Sequence, residues 1–209
     1  MSINVIIPLA GEGSRFKEKN FLKPKPLIKV FRNTLIEISI KSLNIKNANY
    51  FFITKKYESE KLNIELKKIL TKYTSKKKII QISKPTAGPV LTCLKVKNID
   101  QNKPLIIANC DQYLNWKPNL FLNFVKKNNA AGAVLTYKSR NQKNSFVSLK
   151  EGKIVDIVEK NVRAGTATFF LLNSMFTMCN PAVALEHAIA YLHFSILQIV
   201  LSNFSKLFP

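Results

Sequence analysis

Residues 3–8, Ile-Asn-Val-Ile-Ile-Pro, are apolar but for one asparagine and rich in β-branching. That pattern predicts a buried strand. Residues 9–29 mix glycine, proline and charge and read as a long loop. Over 34–44 apolar residues fall at 35, 36, 38, 40 and 43, which predicts a helix packed on one side. A strand follows at 50–54. A helix over 59–73 carries Leu62, Leu66, Ile69 and Leu70 at helical spacing. Further elements are expected as a strand at 78–82, a short helix at 89–96, a wholly apolar strand at 105–108, a helix at 119–127 and a strand at 131–137. Two alternating segments, 146–149 and 154–158, flank a turn at Glu151-Gly152 and read as a hairpin. Strands alternate with helices as far as residue 137, which predicts a right-handed, mostly parallel α/β sheet.

The chain has 209 residues and 46% hydrophobic content, enough for one α/β domain with a sizeable core, so wholesale disorder is excluded. Cys93, Cys110 and Cys179 have no short spacing, which excludes a disulfide scaffold and a paired-cysteine zinc site. The start lacks a basic segment and a long apolar one, so a reducing, cytoplasmic setting is expected. Composition changes near residue 161, because beyond it the charged side chains are Arg163, Glu186 and Lys206. A first domain is therefore placed at 1–172 and an atypical apolar helical tail at 173–209. Three readings of that tail stay open: a packed helix, a weak membrane helix, or an end foreign to the fold. A membrane span is not expected, since Glu186, His187, His193 and Gln198 interrupt the apolar run.

The formal net charge is +21. Nucleic acid is nevertheless not the expected partner. The positive residues are overwhelmingly lysine, spread along the chain, and accompanied by abundant Asn and Ile, as an AT-rich coding bias produces. The field does suit a small anionic substrate. The chemistry-bearing candidates begin at Leu9-Ala10-Gly11-Glu12-Gly13-Ser14-Arg15-Phe16, directly after the first strand. Glycines there let the backbone turn and approach a ligand, and successive N–H groups can form an anion nest at a strand end. Arg15 would add a forked phosphate donor. The plain alternative is a tight turn. Pro24-Lys25-Pro26-Leu27-Ile28 fixes where one ammonium points, and its plain alternative is a surface loop.

The two segments together, G-x-G-x-R, eight residues and P-K-P-L-I, resemble the signature of the sugar-phosphate nucleotidyltransferases, the nucleoside-diphosphate-sugar pyrophosphorylases. The resemblance continues to residue 160. It implies a Rossmann-like three-layer α/β/α fold with a mostly parallel mixed sheet. It implies nucleotide binding by Leu9, Ala10, Gly11 and Gly13. Lys84-Pro85-Thr86-Ala87-Gly88-Pro89 looks like the family's base-recognition loop, with Gly88 close to the base. Ile107-Ala108-Asn109-Cys110-Asp111-Gln112 looks like the strand end that carries a magnesium aspartate, so Asp111 is the expected metal ligand and Mg²⁺ the expected cofactor. Ser145-Phe146-Val147, Gly152 and Val158-Glu159-Lys160 look like the hairpin that holds a sugar phosphate. Glu159 and Lys160 would bind that substrate.

The implied reaction joins a nucleoside triphosphate to a sugar 1-phosphate, with Arg15, Lys25 and Asp111 as the catalytic set. The chain departs from the pattern in one place. The family has a second metal aspartate downstream, whereas here the one carboxylate side chain beyond Glu159 is Glu186. Two alternatives therefore stand beside the enzyme: a truncated, non-catalytic phosphate-binding module with a basic surface, and a cytidylyltransferase for a non-sugar alcohol phosphate. The oligomeric state is open. His187 and His193, six apart, do not share a helix face and are not a metal pair. Cys110 reads as a small buried residue, and Trp116 as core or pocket wall.

Overall fold

The computed structural model describes residues 2–130, 132–138, 145–151, 153–159 and 170–179. Among them the strands are β1 (Ile3–Pro8), β2 (Lys29–Val30), β3 (Asn33–Thr34), β4 (Ala48–Lys55), β5 (Lys77–Ile82), β6 (Leu105–Ile107), β7 (Gly132–Lys138), β8 (Ser145–Lys150), β9 (Lys153–Glu159) and β10 (Phe170–Cys179). The helices are α1 (Ser14–Lys17), α2 (Leu35–Leu43), α3 (Glu60–Tyr73), α4 (Pro89–Cys93) and α5 (Pro118–Lys127). The main sheet runs β5-β4-β1-β6-β10-β8-β9, with β7 paired to β10, and β2 and β3 form a separate small hairpin. β5, β4, β1 and β6 are parallel, and the strands beyond them antiparallel. This is the Rossmann-like α/β sheet expected.

Alternation along β1 explains the layers, because successive side chains leave opposite faces of a strand. Ile3, Val5 and Ile7 enter a core with Ile36, Ile40 and Leu43 of α2, Leu66 and Leu70 of α3 and Val125 of α5. Ile6 enters a second core with Ile53, Cys93 of α4, Val96 and Ile107. Helices therefore cover both faces of the parallel strands. Edge strand β5 carries Lys77 and Lys78, charges that disfavour pairing with another chain.

β10 at Phe170–Cys179 crosses residue 172, where the first domain was expected to end, and residues 173–179, expected in the helical tail, are strand. Its first part pairs with β8 and its last part with β6, while β7 flanks both. The register shifts between Leu172 and Thr177. Polar Asn173 and Ser174 fall in that irregularity, where a bulge re-aims a strand and breaks its apolar pattern. Residues 180–209 lie outside the described residues, and with them the expected tail, Glu186 and both histidines. Among the described residues no helix is long and apolar enough to cross a membrane.

α2 begins with a reciprocal cap. The backbone N–H of Glu37 donates to the Thr34 hydroxyl oxygen, and the Glu37 carboxylate accepts from the Thr34 N–H at 2.7 Å and from its hydroxyl at 2.8 Å. Burial works to raise the Glu37 carboxyl pKa, but those Thr34 hydrogen bonds, the Tyr73 hydroxyl and the Lys41 charge hold it below 4.5. Asn44 ends the helix in the left-handed conformation. Thr34 is buried, so Thr34→Ala is expected to lower unfolding free energy by about 1–2 kcal/mol, read from urea titrations of the two proteins.

Candidate active site

The parallel strands all end at one edge of the sheet, and the loops leaving that edge enclose a cavity of about 310 Å³. Leu9, Ala10 and Gly11 line it from the loop after β1, Gly88 from the loop after β5, Asp111 from the loop after β6, and Lys25 from its own turn of 3-10 helix. Residues separated by as many as 102 positions thus share one wall because β1 lies directly beside β6. This is the carboxyl edge at which open α/β sheets place their ligands.

Core side chains fix these loops. The Leu9 N–H donates to the Ile53 carbonyl at 2.6 Å. The fully buried Ser39 hydroxyl of α2 donates to the Asn109 carbonyl at 2.6 Å, and the Trp116 Nε1–H donates to the Ser42 carbonyl at 2.9 Å. α2 therefore pegs the Asp111 segment on both sides. No sequence signal pointed to Ser39, since a serine on an apolar helix face is legible only once its partner is known.

Lys25 Nζ lies 2.7 Å from Asp111 Oδ2, with the side chains 28% and 30% exposed. Lys25 also lies over the Phe16 ring, 5.9 Å from its centre. Both charges therefore face the cavity as a pair that solvent and ligands can reach. Gly13 adopts φ +66° and caps α1, and a Cβ added there would meet the Lys25 Cβ at 3.3 Å. Its lack of a side chain serves both the turn and the placement of Lys25. Gly11 and Gly88 differ, because an added Cβ at either meets nothing within 4 Å. The fold itself does not need glycine there, so space for a ligand is the remaining use of the missing side chain. Among the described residues the N–H groups of Gly11, Glu12, Gly13 and Ser14 donate to no protein acceptor. They are the open donors of the expected nest.

Cys110 lines the cavity but is buried, and burial pushes its thiol up to about 12; the Lys25 charge works the other way and Asp111 adds to the rise. It is not a nucleophile at neutral pH. Thr86, Thr92, Pro26 and Asn109 also line the cavity, and of these Thr92 lay outside the motifs quoted from the sequence. Arg15 lies within α1, but its side chain is outside the described set. Glu159 is the last residue of β9, with its side chain likewise undescribed, and Lys160 falls outside. β8 and β9 form the expected hairpin. Among the described residues no group of three or more His, Cys, Asp or Glu could hold a metal ion.

A family model for the nucleotidyl transferases matches residues 4–181. The chain belongs to the nucleotidyl transferase family. Its fold resembles a nucleoside-diphosphate-sugar pyrophosphorylase from Vibrio cholerae RC9, at TM-score 0.67 and 17% identity over 97% of this chain and 88% of that one. It resembles the inositol-1-phosphate CTP transferase from T. maritima, at TM-score 0.67 and 14% identity over 97% and 81%. A third similar structure is the 4-diphosphocytidyl-2C-methyl-D-erythritol synthase from Anaerococcus prevotii, at TM-score 0.54 and 15% identity over 98% and 82%. At these identities the likeness is one of fold.

The two glycines of this transferase's first loop are expected to part in mutation. Gly13→Ala should lower stability by about 1 kcal/mol or more through the left-handed backbone alone, whereas Gly11→Ala should leave thermal unfolding nearly unchanged. Differential scanning fluorimetry separates them. Burial raises the Cys93 and Cys110 thiols from 9.0, and the Tyr50 and Tyr57 phenols from 10.0, each to about 12. The folded state thus holds these protons more tightly than the unfolded one. Their contribution to stability is whole below pH 9 and is lost as pH rises from 9 to 12. Denaturant midpoints measured across that window should fall steadily.

Proposed function

We propose that the protein transfers a nucleotidyl group from a nucleoside triphosphate to a phosphorylated acceptor, a sugar 1-phosphate before a non-sugar alcohol phosphate, releasing pyrophosphate. The observation that carries this reading is the Lys25–Asp111 pair at 2.7 Å on the wall of a cavity that Gly11 and Gly88 also line. One fixed cation and one fixed carboxylate beside open N–H donors make a site for a polyphosphate and its counter-cation, not for an apolar ligand. Family membership supports the reaction class. The similar structures span sugar and polyol substrates, so the acceptor rests on the motif resemblance alone.

The chemistry is an in-line displacement at the α-phosphorus. A bond forms between an ionised oxygen of the acceptor phosphate and that phosphorus, the bond to the α,β-bridging oxygen breaks, and its electron pair leaves with pyrophosphate. The nucleophile is already an anion at neutral pH, so no general base is needed. Alignment and charge stabilisation are what the chain must supply. The N–H groups of Gly11 and Gly13 would cradle the phosphates. Lys25 and Arg15 would offset charge on the triphosphate and on the departing pyrophosphate. Gly88 would lie against the base, and Lys160 and Glu159 would hold the acceptor.

Mg²⁺ fits the donor set. It keeps several waters and takes one or two carboxylates together with substrate phosphates, and a partly exposed Asp111 meets that demand without a closed protein cage. When bound it would neutralise phosphate charge and polarise the α-phosphate. Asp111 already has a cationic partner in Lys25, and a triphosphate that draws the ammonium to itself leaves the carboxylate open for the ion.

Pyrophosphate release should be measured with Mg²⁺, ATP, CTP, GTP, UTP or dTTP, and a panel of sugar 1-phosphates and alcohol phosphates. One nucleotide–acceptor pair should give signal. Asp111→Asn and Lys25→Ala should each lower it by about 100-fold or more. No release from folded protein that still binds a triphosphate would replace this reading with that of a phosphate-binding module.

A further inference from the structure

Two surface tips, one on each side of the Lys25 turn in sequence, carry apolar side chains that the core does not use. Leu22 is 99% exposed and Phe31 98%. An isolated exposed apolar residue is ordinary. Phe31 is not, because its backbone is strained as well. Val30 pairs with Asn33, so Phe31 and Arg32 form a two-residue hairpin turn, and Phe31 adopts φ +54°. Turns of this length take Gly, Asn or Asp where φ is positive, since a bulky side chain crowds the backbone there. The ring lies almost wholly in solvent, so no packing inside the protein offsets that strain. A strained residue the fold does not use points to a role outside the fold.

The charges around the two tips have one sign. Over 19–32 every charged side chain is positive. Lys19 and Lys23 flank Leu22, Lys29 and Arg32 flank Phe31, and all four are exposed. α3 ties both tips to one side of the molecule. The Lys23 ammonium donates to both carboxylate oxygens of Glu65 at 2.9 Å. The Lys41 ammonium donates to Asn33 Oδ1, at the foot of the hairpin, at 2.6 Å and lies 5.0 Å from the centre of the Tyr73 ring. Glu65 and Tyr73 share a face of α3, two turns and about 12 Å apart. Exposed Lys61, Lys68 and Lys72 extend the positive surface along that face.

We propose that the tips at 19–23 and 29–32 dock the protein on an anionic phospholipid surface, with Leu22 and Phe31 entering the interface and the flanking cations meeting the headgroups. Charge selects the partner. A second copy brings the same +21 and is repelled. Nucleic acid would use the cations, but Leu22 has no ring face on which a base can stack. A bilayer uses both features. Its headgroups attract Lys and Arg, and its acyl boundary takes apolar side chains that stand clear of the surface rather than line a groove. Such attachment needs no spanning helix, and it does not depend on the nucleotide reading of the cavity.

The full chain should be sedimented with vesicles of phosphatidylcholine alone and with vesicles containing about one third phosphatidylserine. The wild-type protein is expected to pellet with the second and not with the first. Leu22→Ser and Phe31→Gly should each weaken that binding by about tenfold or more, the worth of one large apolar side chain removed from water. Phe31→Gly should leave the melting temperature unchanged or raise it, because glycine adopts φ +54° without strain, so its lost binding is not lost folding. Phe31→Trp should keep the binding. Wild-type protein that stays in the supernatant with both vesicles would overturn the proposal. So would undiminished binding of the doubly substituted Leu22→Ser, Phe31→Gly protein, which would mean adhesion by charge alone. Sedimentation velocity without lipid and titration with a single-stranded oligonucleotide complete the test. A dimer or an oligonucleotide complex that needs Leu22 and Phe31, with no vesicle binding, would assign the tips to that partner and overturn the lipid reading.

Discussion

β1 is hydrogen-bonded in parallel to β4 on one side and to β6 on the other, with Ile6 opposite both Phe51 and Ile107. Parallel pairing sends all three chains out at the same edge. The segments after β1 and β6 must therefore meet, however far apart they are in sequence. A shift of one residue in either register would exchange the faces of Val5 and Ile6 and expel one core to admit the other. Ile3, Val5 and Ile7 need the α2 side and Ile6 needs the α4 side, so the register is held by burial and the meeting of Leu9 with Asp111 follows. The site depends on the core through this geometry before any of its own interactions are formed.

A second tier of interactions converts a meeting of loops into fixed positions. α2 supplies two of them, Ser39 to the Asn109 carbonyl and the Ser42 carbonyl to Trp116. Thr86 and Thr92 do the same for Gly88. Each satisfies a backbone or indole group in a setting short of water, where an unmatched partner would be costly. The Lys25–Asp111 pair has the opposite character. Both side chains keep over a quarter of their surface, so separating them does not strand a charge in a dry interior. The scaffold is held by buried neutral hydrogen bonds and the reactive wall by an exchangeable charge pair. That division lets a polyanion enter without disturbing the fold.

Period and length made most of the fold legible. The helix over 34–44 was readable from apolar spacing with Thr34 and Asn44 at its ends, and those two residues are its caps. The all-apolar 105–108 segment marked a strand buried between neighbours, and β6 lies between β1 and β10. Residues 173–179 were read with the tail because the two halves of β10 serve different partners across a polar break at Asn173 and Ser174, and no single period survives such a break. In the site, glycine and proline punctuation pointed to the loops around Gly11, Lys25 and Gly88, and an apolar strand end pointed to Asp111. All four line the cavity. Ser39 and Thr92 were illegible for a shared reason. A small hydroxyl residue within an apolar helix pattern has the same appearance whether or not a carbonyl from elsewhere in the chain waits for it.

The large positive charge takes on a more specific meaning against this geometry. Among the described residues Lys25 is the lysine that lines the cavity, and its charge is matched there by Asp111. Glu12, also on the wall, is met by Lys17 at 3.3 Å in a pair more than half exposed, which contributes little to stability. Among the described side chains the charges on the cavity wall are thus paired, while the chain as a whole is strongly basic. A polyanion is drawn toward the molecule by the general field and bound by groups whose charges are already paired. Binding then exchanges partners rather than neutralising an unpaired charge, so affinity should depend on salt less steeply than the charge of +21 suggests. That distinguishes a built phosphate site from adhesion to a basic surface, for which every released counter-ion enters the salt dependence.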